Sequence, residues 1–155
     1  MSEIEKRLQE HGIVIQRKDR HGQGMVATRR HGDLLFVSGH GPVDSEGKVV
    51  FTGKLGIELS EEEGYKAARL CGINMLASVK DAIGDLDRVA CVVKVLGLVA
   101  SGPDFYNQPK VMNGFSDLMV EVFGERGQHA RSAMGTCCLP QNIPVEVEAI
   151  FRIRD

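Results

Sequence analysis

The sequence predicts an α+β fold in which two helices cover one face of a mixed β-sheet. Apolar residues recur at helical spacing after Ser60 and again between residues 109 and 123. The run Val89–Ala100 is apolar apart from Lys94 and Gly97, which is typical of a buried strand. The last quarter alternates valine with glutamate, the pattern of a strand with two different faces. This succession of patterns indicates helices packed on one side of a sheet.

Composition favours one globular domain over residues 1–155, with residues 1–23 as an N-terminal extension. The net charge is −2 and 43% of the residues are hydrophobic, which argues against disorder. Few aromatics (six Phe, two Tyr) and no basic stripe argue against nucleic-acid binding. No apolar run is long enough to span a membrane. The charged start, Ser2–Arg7, lacks a signal-peptide core, so we expect a cytoplasmic protein without a membrane partner.

The first third of the chain combines a short helix with strands and turns. Residues 2–11 place Ile4 and Leu8 on one side of a helix that Gly12 ends. A polar, glycine-rich loop separates the first predicted strand from the others. The predicted strands are residues 13–15, 34–38 and about 48–52.

The two main helices have clear starts and ends. Ser60 and Glu63 form a capping box, in which each side chain satisfies a free backbone amide of the other residue. Gly84 ends this helix. Its apolar stripe consists of Ala68, Cys71, Met75, Val79 and Ile83. The second helix is predicted over Pro109–Phe123 and ends at Gly124.

The closing strands carry the charged side chains that suggest a site. A Leu-Pro-Gln-Asn turn separates two strand-like runs, which predicts a hairpin. In the last strand, Val145, Val147 and Ala149 alternate with Glu146 and Glu148, so the two glutamates are expected on the sheet face that points away from the helices. We expect Arg131 on the same face. Spacing alone favours solvated surface charges. However, Val89–Ala100 is too apolar to leave one face in water, so this face is expected to contact another subunit, where charges need partners. A defined Arg–Glu site is therefore favoured.

Cysteines and histidines offer no metal-binding spacing. Cys71, Cys91, Cys137 and Cys138 form no CxxC pair and are predicted to be buried, reduced thiols. The adjacent pair would point to opposite faces of a strand, which argues against a shared metal ion. The five histidines are scattered, and His40 is of interest because it follows a strand end.

A set of motifs resembles the Rid (YjgF) family, sometimes labelled L-PSP endoribonuclease. The motifs span about residues 24–153, and their order and spacing are specific. The matching residues are Leu35-Phe36-Val37-Ser38-Gly39 with Pro42, Gly84-Asp85-Leu86-Asp87-Arg88-Val89, Asn113, Ala130-Arg131-Ser132, Leu139-Pro140 and Val145-Glu146-Val147-Glu148-Ala149-Ile150.

The resemblance implies a chorismate-mutase-like fold, a homotrimer with pockets in the clefts between subunits, and no metal or organic cofactor. It also implies hydrolysis of reactive enamines and imines, such as 2-aminoacrylate, to 2-keto acids and ammonia. In that chemistry Arg131 binds the substrate carboxylate through two parallel hydrogen bonds. Glu146 activates the attacking water and relays a proton to the leaving nitrogen. Ser38, Gly39 and Asn113 match positions that line the family pocket.

Two positions depart from the family pattern and define a divergent subgroup. By register from Ser38, the family's pocket tyrosine falls at Met25, which has no hydroxyl. The cysteine two residues after the arginine is Ala133 here. That cysteine contributes partly through its backbone, so Ala133 retains part of the function. Both positions still count as substrate-binding candidates.

Three other functions are open to a chain with these features. Met25 and Ala133 suggest a non-catalytic trimer that binds keto acids or other small carboxylates. A ribonuclease is disfavoured by the near-neutral charge, the few aromatics and the lack of a general-base histidine near Arg131 in sequence. A chorismate mutase would share the fold and an arginine-lined cleft, but the Rid-type motifs outweigh it.

Overall fold

The computed structural model describes residues 1–16 and 24–155. Residues 17–23, within the predicted glycine-rich loop and N-terminal extension, lie outside the described residues. The described helices are α1 (Glu3–Glu10), α2 (Glu61–Ile83) and α3 (Gln108–Phe123), and the strands are β1 (Thr28–His31), β2 (Leu34–His40), β3 (Val89–Ala100), β4 (Ala130–Thr136) and β5 (Val145–Ile153).

The strands form one sheet in the order β1-β2-β5-β3-β4. Strand β3 pairs in parallel with β4 and antiparallel with β5, so that Val95 lies between Arg131 and Ala149. The predicted hairpin between the last two strands is therefore wrong. The chain enters β4 from α3, in the crossover that a parallel pair requires. The turn Pro140–Asn142 then carries it past the end of β3 to the other side.

Helices α2 and α3 cover one face of the sheet, as predicted for an α+β fold. The inward side chains of the three central strands include Val95, Val147 and Phe151, which are fully buried against these helices. The two helices approach closely because Gly114 of α3 lies against the backbone of Tyr65 in α2. A Cβ at Gly114 would overlap the Tyr65 carbonyl. The core thus lies between the helices and one face of the sheet. None of the helices in the described part of the chain covers the opposite face, which carries Leu96, Glu146 and Glu148 and is called the helix-free face below.

The three helices occur within one residue of their predicted bounds and β3 has the predicted range, whereas β2 continues two residues past its predicted end at Ser38 and β1 is a strand that the sequence patterns did not predict. The capping box of α2 forms as expected: the amide of Glu63 donates to Ser60 Oγ at 3.2 Å, and the amide of Ser60 donates to Glu63 Oε2 at 2.8 Å. The predicted strands at 13–15 and 48–52 are wrong. Residues 13–15 have no regular structure, and the 48–52 segment contributes only the isolated bridge Val43–Val49, because neither segment pairs with a sheet strand.

Helix α1 is docked onto the domain through its first turn. The carboxylate of Asp87 accepts hydrogen bonds from the amides of Glu3 (2.8 Å) and Ile4 (2.7 Å). Ser2 Oγ accepts from the next amide, that of Glu5, at 3.3 Å. The three leading amides of α1 are therefore all satisfied, two of them by the body of the domain. Fully buried Ile4 completes the contact with the core.

The cysteines do not all lie in the core. Cys71 is buried in α2, and burial together with the nearby charge of Glu146 raises the pKa of its thiol. Cys137 and Cys138 are exposed, and their sulfurs lie 3.8 Å apart on one side of the chain. The prediction that this pair is buried on opposite faces is wrong because β4 ends at Thr136, and strand alternation no longer applies beyond it.

Within residues 1–16 and 24–155, no helix is both long and apolar enough to cross a membrane.

We expect Asp87→Ala to lower the free energy of unfolding by about 1–2 kcal/mol, the usual effect of losing a helix cap. Burial raises the pKa of Asp87, but the amides of Ile4 and Glu3 and the charge of Arg126 outweigh it, so the pKa lies below its ordinary value. This stabilisation is present above the ordinary pKa of about 3.9 and is lost as pH falls through the lower, folded-state pKa.

Urea denaturation at pH 7 and at pH 3 measures the effect, with Asp104→Ala in an exposed loop as the control. An Asp87→Ala protein as stable as the wild type at pH 7 would contradict this account of α1.

Candidate functional site

Arg131 is held at the edge of the sheet by neutral oxygen atoms of α3. Its Nη1 donates to Asn113 Oδ1 and to Ser116 Oγ, each at 3.0 Å. Its Nη2 donates to the carbonyl of Pro109 at 3.2 Å. A guanidinium has five N–H donors. Two of them, on Nε and Nη2, have no acceptor among the described residues.

No carboxylate pairs with Arg131 in the part of the chain that the structure describes. Burial lowers the pKa of Arg131, and the charge of Asp117 opposes this only in part. The guanidinium stays protonated at any physiological pH. Arg131 is thus a partly buried positive charge whose neighbours fix its position without neutralising it, and such an arrangement suits a bound anion.

His129 extends this network through Ser116. Its Nε2 lies 2.9 Å from Ser116 Oγ, and its Nδ1 lies 2.6 Å from the carbonyl of Gly127. The ring packs edge-on against Phe115, with the ring centres 6.2 Å apart. Burial, aided by the charge of Arg131 and opposed by the Gly127 carbonyl, lowers the pKa of His129. The imidazole is therefore mainly neutral near pH 7.

Arg131 and His129 open onto one shallow groove of about 440 Å³, which is also lined by Ser116, Asp117, Val120 and Gln128. The statement that no general-base histidine lies near Arg131 is wrong. His129 precedes Arg131 by two residues in an extended segment, and side chains two apart point the same way. That spacing was the available signal for His129. The role of Ser116 could not be predicted from the sequence, because its contact with Arg131 depends on how α3 packs on β4.

Arg131 lies on the helix-covered side of the sheet, so the expectation that it shares a face with Glu146 is wrong. It is in register with inward-facing Val95, whereas its neighbour Ser132 is in register with Leu96 on the other face. Lys94 Nζ donates to Ser132 Oγ at 3.2 Å on that other face. Strand β3 and the thickness of the sheet separate Arg131 from Glu146 within one chain.

Glu146 and Glu148 do face away from the helices, as predicted. Their strand alternates buried Val145, Val147 and Ala149 with more exposed neighbours. The carboxylate of Glu146 lies directly over Gly39, where any Cβ would overlap its Oε1. Gly39 therefore leaves room for the glutamate.

A β-bulge places Ser38 and Gly39 opposite β5. Val37 pairs with Ala149 and His40 with Val147, so one extra residue is accommodated in β2. The Ser38 hydroxyl donates to the carbonyl of Val26 at 2.7 Å. His40 is buried rather than open to a site: its Nε2 lies 2.8 Å from the hydroxyl of Ser78 and its Nδ1 2.6 Å from the Ser38 carbonyl. His40 thus fixes the bulge against α2.

Met25 and Ser38 line a second hollow, of about 950 Å³, on the helix-free face. Its lining also includes Phe36, Lys94, Leu96, Glu148 and Ile150. Met25 is about half exposed (51%) and offers a thioether at the position where the family has a phenol. Ala133 lies on the opposite side of the sheet, with its methyl group packed against the core.

The predicted site residues therefore form two groups rather than one. Arg131, Asn113 and Ala133 lie on the α3 side of β4. The second group, on or beside the helix-free face, consists of Met25, Ser38, Gly39 and Glu146. Among the described residues no cluster of three or more His, Cys, Asp or Glu side chains is arranged to hold a metal ion.

A family model described as "YjgF/chorismate_mutase-like, putative endoribonuclease" matches residues 26–150. The match includes β1 to β4, most of β5, α2, α3 and all the candidate site residues except Met25.

Individual relatives agree with this match. Protein TCP17 of Trypanosoma cruzi is 40% identical over 149 residues, which is 96% of this chain and 92% of that protein. The crystal structure of Atu1372 from Agrobacterium tumefaciens, of unknown function, is 42% identical with a TM-score of 0.89, covering 97% of this chain and 91% of that one. A "putative endoribonuclease" from Shewanella oneidensis MR-1 is 29% identical with a TM-score of 0.92, covering 97% and 99%. The chain belongs to the YjgF/chorismate-mutase-like family, which includes the Rid proteins.

Proposed function

We propose that this protein hydrolyses reactive imines and enamines of small amino acids to 2-keto acids and ammonia. The reaction takes place in clefts between the subunits of a homotrimer. Arg131 of one subunit binds the substrate carboxylate, and Glu146 of the partner subunit activates water. The location of the protein in the cytoplasm stays a prediction.

The uncompensated charge of Arg131 is the observation that carries this proposal. Three neutral oxygens hold the guanidinium, and two N–H donors are left over. A carboxylate that accepts two parallel hydrogen bonds from a guanidinium needs that number of donors. A partly buried arginine with no acidic partner among the described residues favours an anionic ligand over a purely structural role.

The separation of the two residue groups supports a site shared between subunits. Within one chain the sheet lies between Arg131 and Glu146, so neither side chain can reach a ligand held by the other. A second copy that places its helix-free face and bulge against the β4 edge would bring Glu146 of the partner subunit toward Arg131. When each copy binds the next through two different surfaces, the copies form a closed ring if the rotation between them divides a full turn. A ring of three is the state that the family resemblance implies.

The helix-free face has the composition of a surface covered by other copies. Phe36 is 41% exposed and Met134 is 50% exposed on this face. Leu96 and Ile150 line the hollow on this face together with the charged residues Lys94 and Glu148. Exposed apolar patches rimmed by polar groups mark interaction surfaces. Burial between subunits would also remove Lys94 and Glu148 from bulk water.

The proposed chemistry requires one proton acceptor and no redox step. A water molecule, deprotonated by Glu146, attacks the imine carbon, and the proton on the resulting glutamic acid passes to the nitrogen. Glu146 then takes the hydroxyl proton of the carbinolamine and passes it to the amine, so that the C–N bond breaks, ammonia leaves and the carbinol oxygen becomes the ketone of the 2-keto acid. An enamine first takes a proton from solvent on its terminal carbon and releases one from its nitrogen, which gives the imine.

Met25 favours a second candidate function, a trimer that binds small carboxylates without turnover. A thioether cannot donate the hydrogen bond that the family's tyrosine offers from this position. In this case 2-keto acids would raise the melting temperature through Arg131, while no imine would be hydrolysed.

We expect Arg131→Ala to lower kcat/KM for 2-iminopropionate by about 100- to 1,000-fold, since two charge-assisted hydrogen bonds are lost. Arg131→Lys should restore little, because an ammonium cannot form the parallel pair. The imine is generated by an amino-acid oxidase, and keto-acid release is measured. Arg30→Ala, which removes an exposed arginine that pairs with Asp155, is the control and should be unaffected.

Keto-acid release no faster than in buffer, combined with thermal stabilisation by pyruvate that depends on Arg131, would favour the binding trimer. Cleavage of RNA that is lost in Arg131→Ala would favour the endoribonuclease activity in the names of the relatives.

Mixing two inactive variants tests whether the site is shared. Arg131→Ala and Glu146→Gln chains, unfolded and refolded together in equal amounts, should regain about one quarter of wild-type activity. Random assembly makes about three quarters of the trimers mixed, and each mixed trimer has one intact cleft out of three. Each variant refolded alone should stay inactive. A mixture with no more activity than its components would contradict a site built from two subunits.

A further inference from the structure

We propose that His129, acting through Ser116, positions the Arg131 guanidinium and couples anion binding at Arg131 to the uptake of one proton. The inference rests on the proposed role of Arg131 as an anion-binding residue. It adds a titratable group to the site that the family motifs do not contain.

The hydrogen bonds around Ser116 run in one direction. The carbonyl of Gly127 can only accept, so the imidazole proton lies on Nδ1, 2.6 Å away. Nε2 of His129 is then an acceptor, and the Ser116 hydroxyl donates to it at 2.9 Å. With its proton so directed, Ser116 Oγ presents its lone pairs to Arg131 Nη1 at 3.0 Å. Neutral His129 therefore makes Ser116 an acceptor for the arginine.

Protonation of His129 would reverse the bond between His129 and Ser116. Nε2–H would donate to Ser116 Oγ, and the hydroxyl proton would turn away into the groove beside Arg131. Ser116 would then compete less well for the arginine's donor and would offer a donor of its own. A second positive charge would also lie one hydroxyl group away from the guanidinium.

Charge favours this change only when an anion is present. In the free protein, burial and the positive charge of Arg131 disfavour the imidazolium. The other charged group in this groove is Asp117 of α3, whose carboxylate accepts from the Tyr65 hydroxyl at 2.9 Å. Arg126, on the turn before His129, does not add to the charge in this groove, because its guanidinium donates to the carbonyls of Asp87 and Val89. An anion on Arg131 would offset the repulsion and so raise the pKa of His129.

Reciprocity fixes the sign of the pH dependence. If a bound anion raises the pKa of His129, then protonated His129 strengthens anion binding by the same factor. Affinity is lowest above the pKa of the complex, rises as pH falls, and levels off below the lower pKa of the free protein. The interaction between the imidazolium and an anion bound one residue's reach away, partly screened by solvent, corresponds to a rise of about three- to tenfold.

Calorimetric titration of pyruvate into the protein of residues 1–155 between pH 5 and 8.5 tests the coupling. We expect the wild-type affinity to rise about three- to tenfold toward low pH. His129→Gln keeps an acceptor for Ser116 but cannot titrate, so it should bind pyruvate with a flatter profile. His31→Gln, at an exposed histidine on β1, controls for general effects and should follow the wild type. An unchanged slope in His129→Gln would overturn the proposal.

Two further variants separate this proposal from the proposed function. Ser116→Ala should weaken binding and reduce the pH dependence, whereas Ser132→Ala, on the opposite face of β4, should change neither. Arg131→Ala should abolish pyruvate binding at every pH. Binding that survives in Arg131→Ala would refute the proposed anion site itself rather than the coupling.

Titration of the histidine signals by NMR, without ligand, keeps the coupling testable even if pyruvate does not bind. Removing the positive charge in Arg131→Ala should raise the pKa of His129. A His129 signal that titrates identically in both proteins would overturn the proposal.

Discussion

Strand β3 is hydrogen-bonded to β4 on one side and to β5 on the other, and this pairing determines where every candidate site residue lies. It makes β4 the edge strand, so that Arg131 can turn around the rim and reach the first turns of α3. The same pairing places β5, which carries Glu146, in the interior of the sheet, with β3 between it and the edge strand β4. An arginine and a glutamate that lie 15 positions apart in sequence thus come to opposite sides of the sheet.

The edge position explains how a charged side chain is tolerated beside a tightly packed core. Val95 and Val99 of β3 are fully buried, yet Arg131, next to Val95, meets α3 where its polar atoms are available. The side-chain oxygens of Asn113 and Ser116 replace water around the guanidinium. They do not replace a counterion, because neutral acceptors reduce the desolvation penalty but leave the charge uncompensated. The position at the sheet edge therefore holds the Arg131 guanidinium in a fixed orientation and leaves its positive charge available to attract an anion.

On the other face, small backbone features determine the shape of the second group. The bulge at Ser38–Gly39 interrupts the register with β5, and the missing Cβ of Gly39 leaves space for the carboxylate of Glu146. His40, buried behind the bulge, ties it to α2 through Ser78. The proposed trimer would join this face of one copy to the β4 edge of the next, and so combine a fixed cation with a fixed carboxylate.

Much of the architecture could be predicted from local sequence signals. The capping box at Ser60, the apolar run Val89–Ala100 and the Val/Glu alternation in β5 identify their elements because helix ends and strand faces depend on neighbouring residues alone. The weak apolar runs at 13–15 and 48–52 were misassigned, since a strand exists only if another strand pairs with it. The family motifs identified Arg131, Glu146, Ser38, Gly39 and Asn113 as candidate residues, but not their relative positions.

Only the tertiary structure decided the strand order, the side of the sheet on which Arg131 lies, and its contact with Ser116 and His129. Strand order depends on pairings between residues far apart in the chain, and the apolar run of β3 identifies a buried strand without identifying its neighbours. The hydrogen bonds of Arg131 depend in turn on how α3 packs across that pair. Sequence by itself determined which chemical groups this protein has and on which elements they lie; packing determined which of them meet.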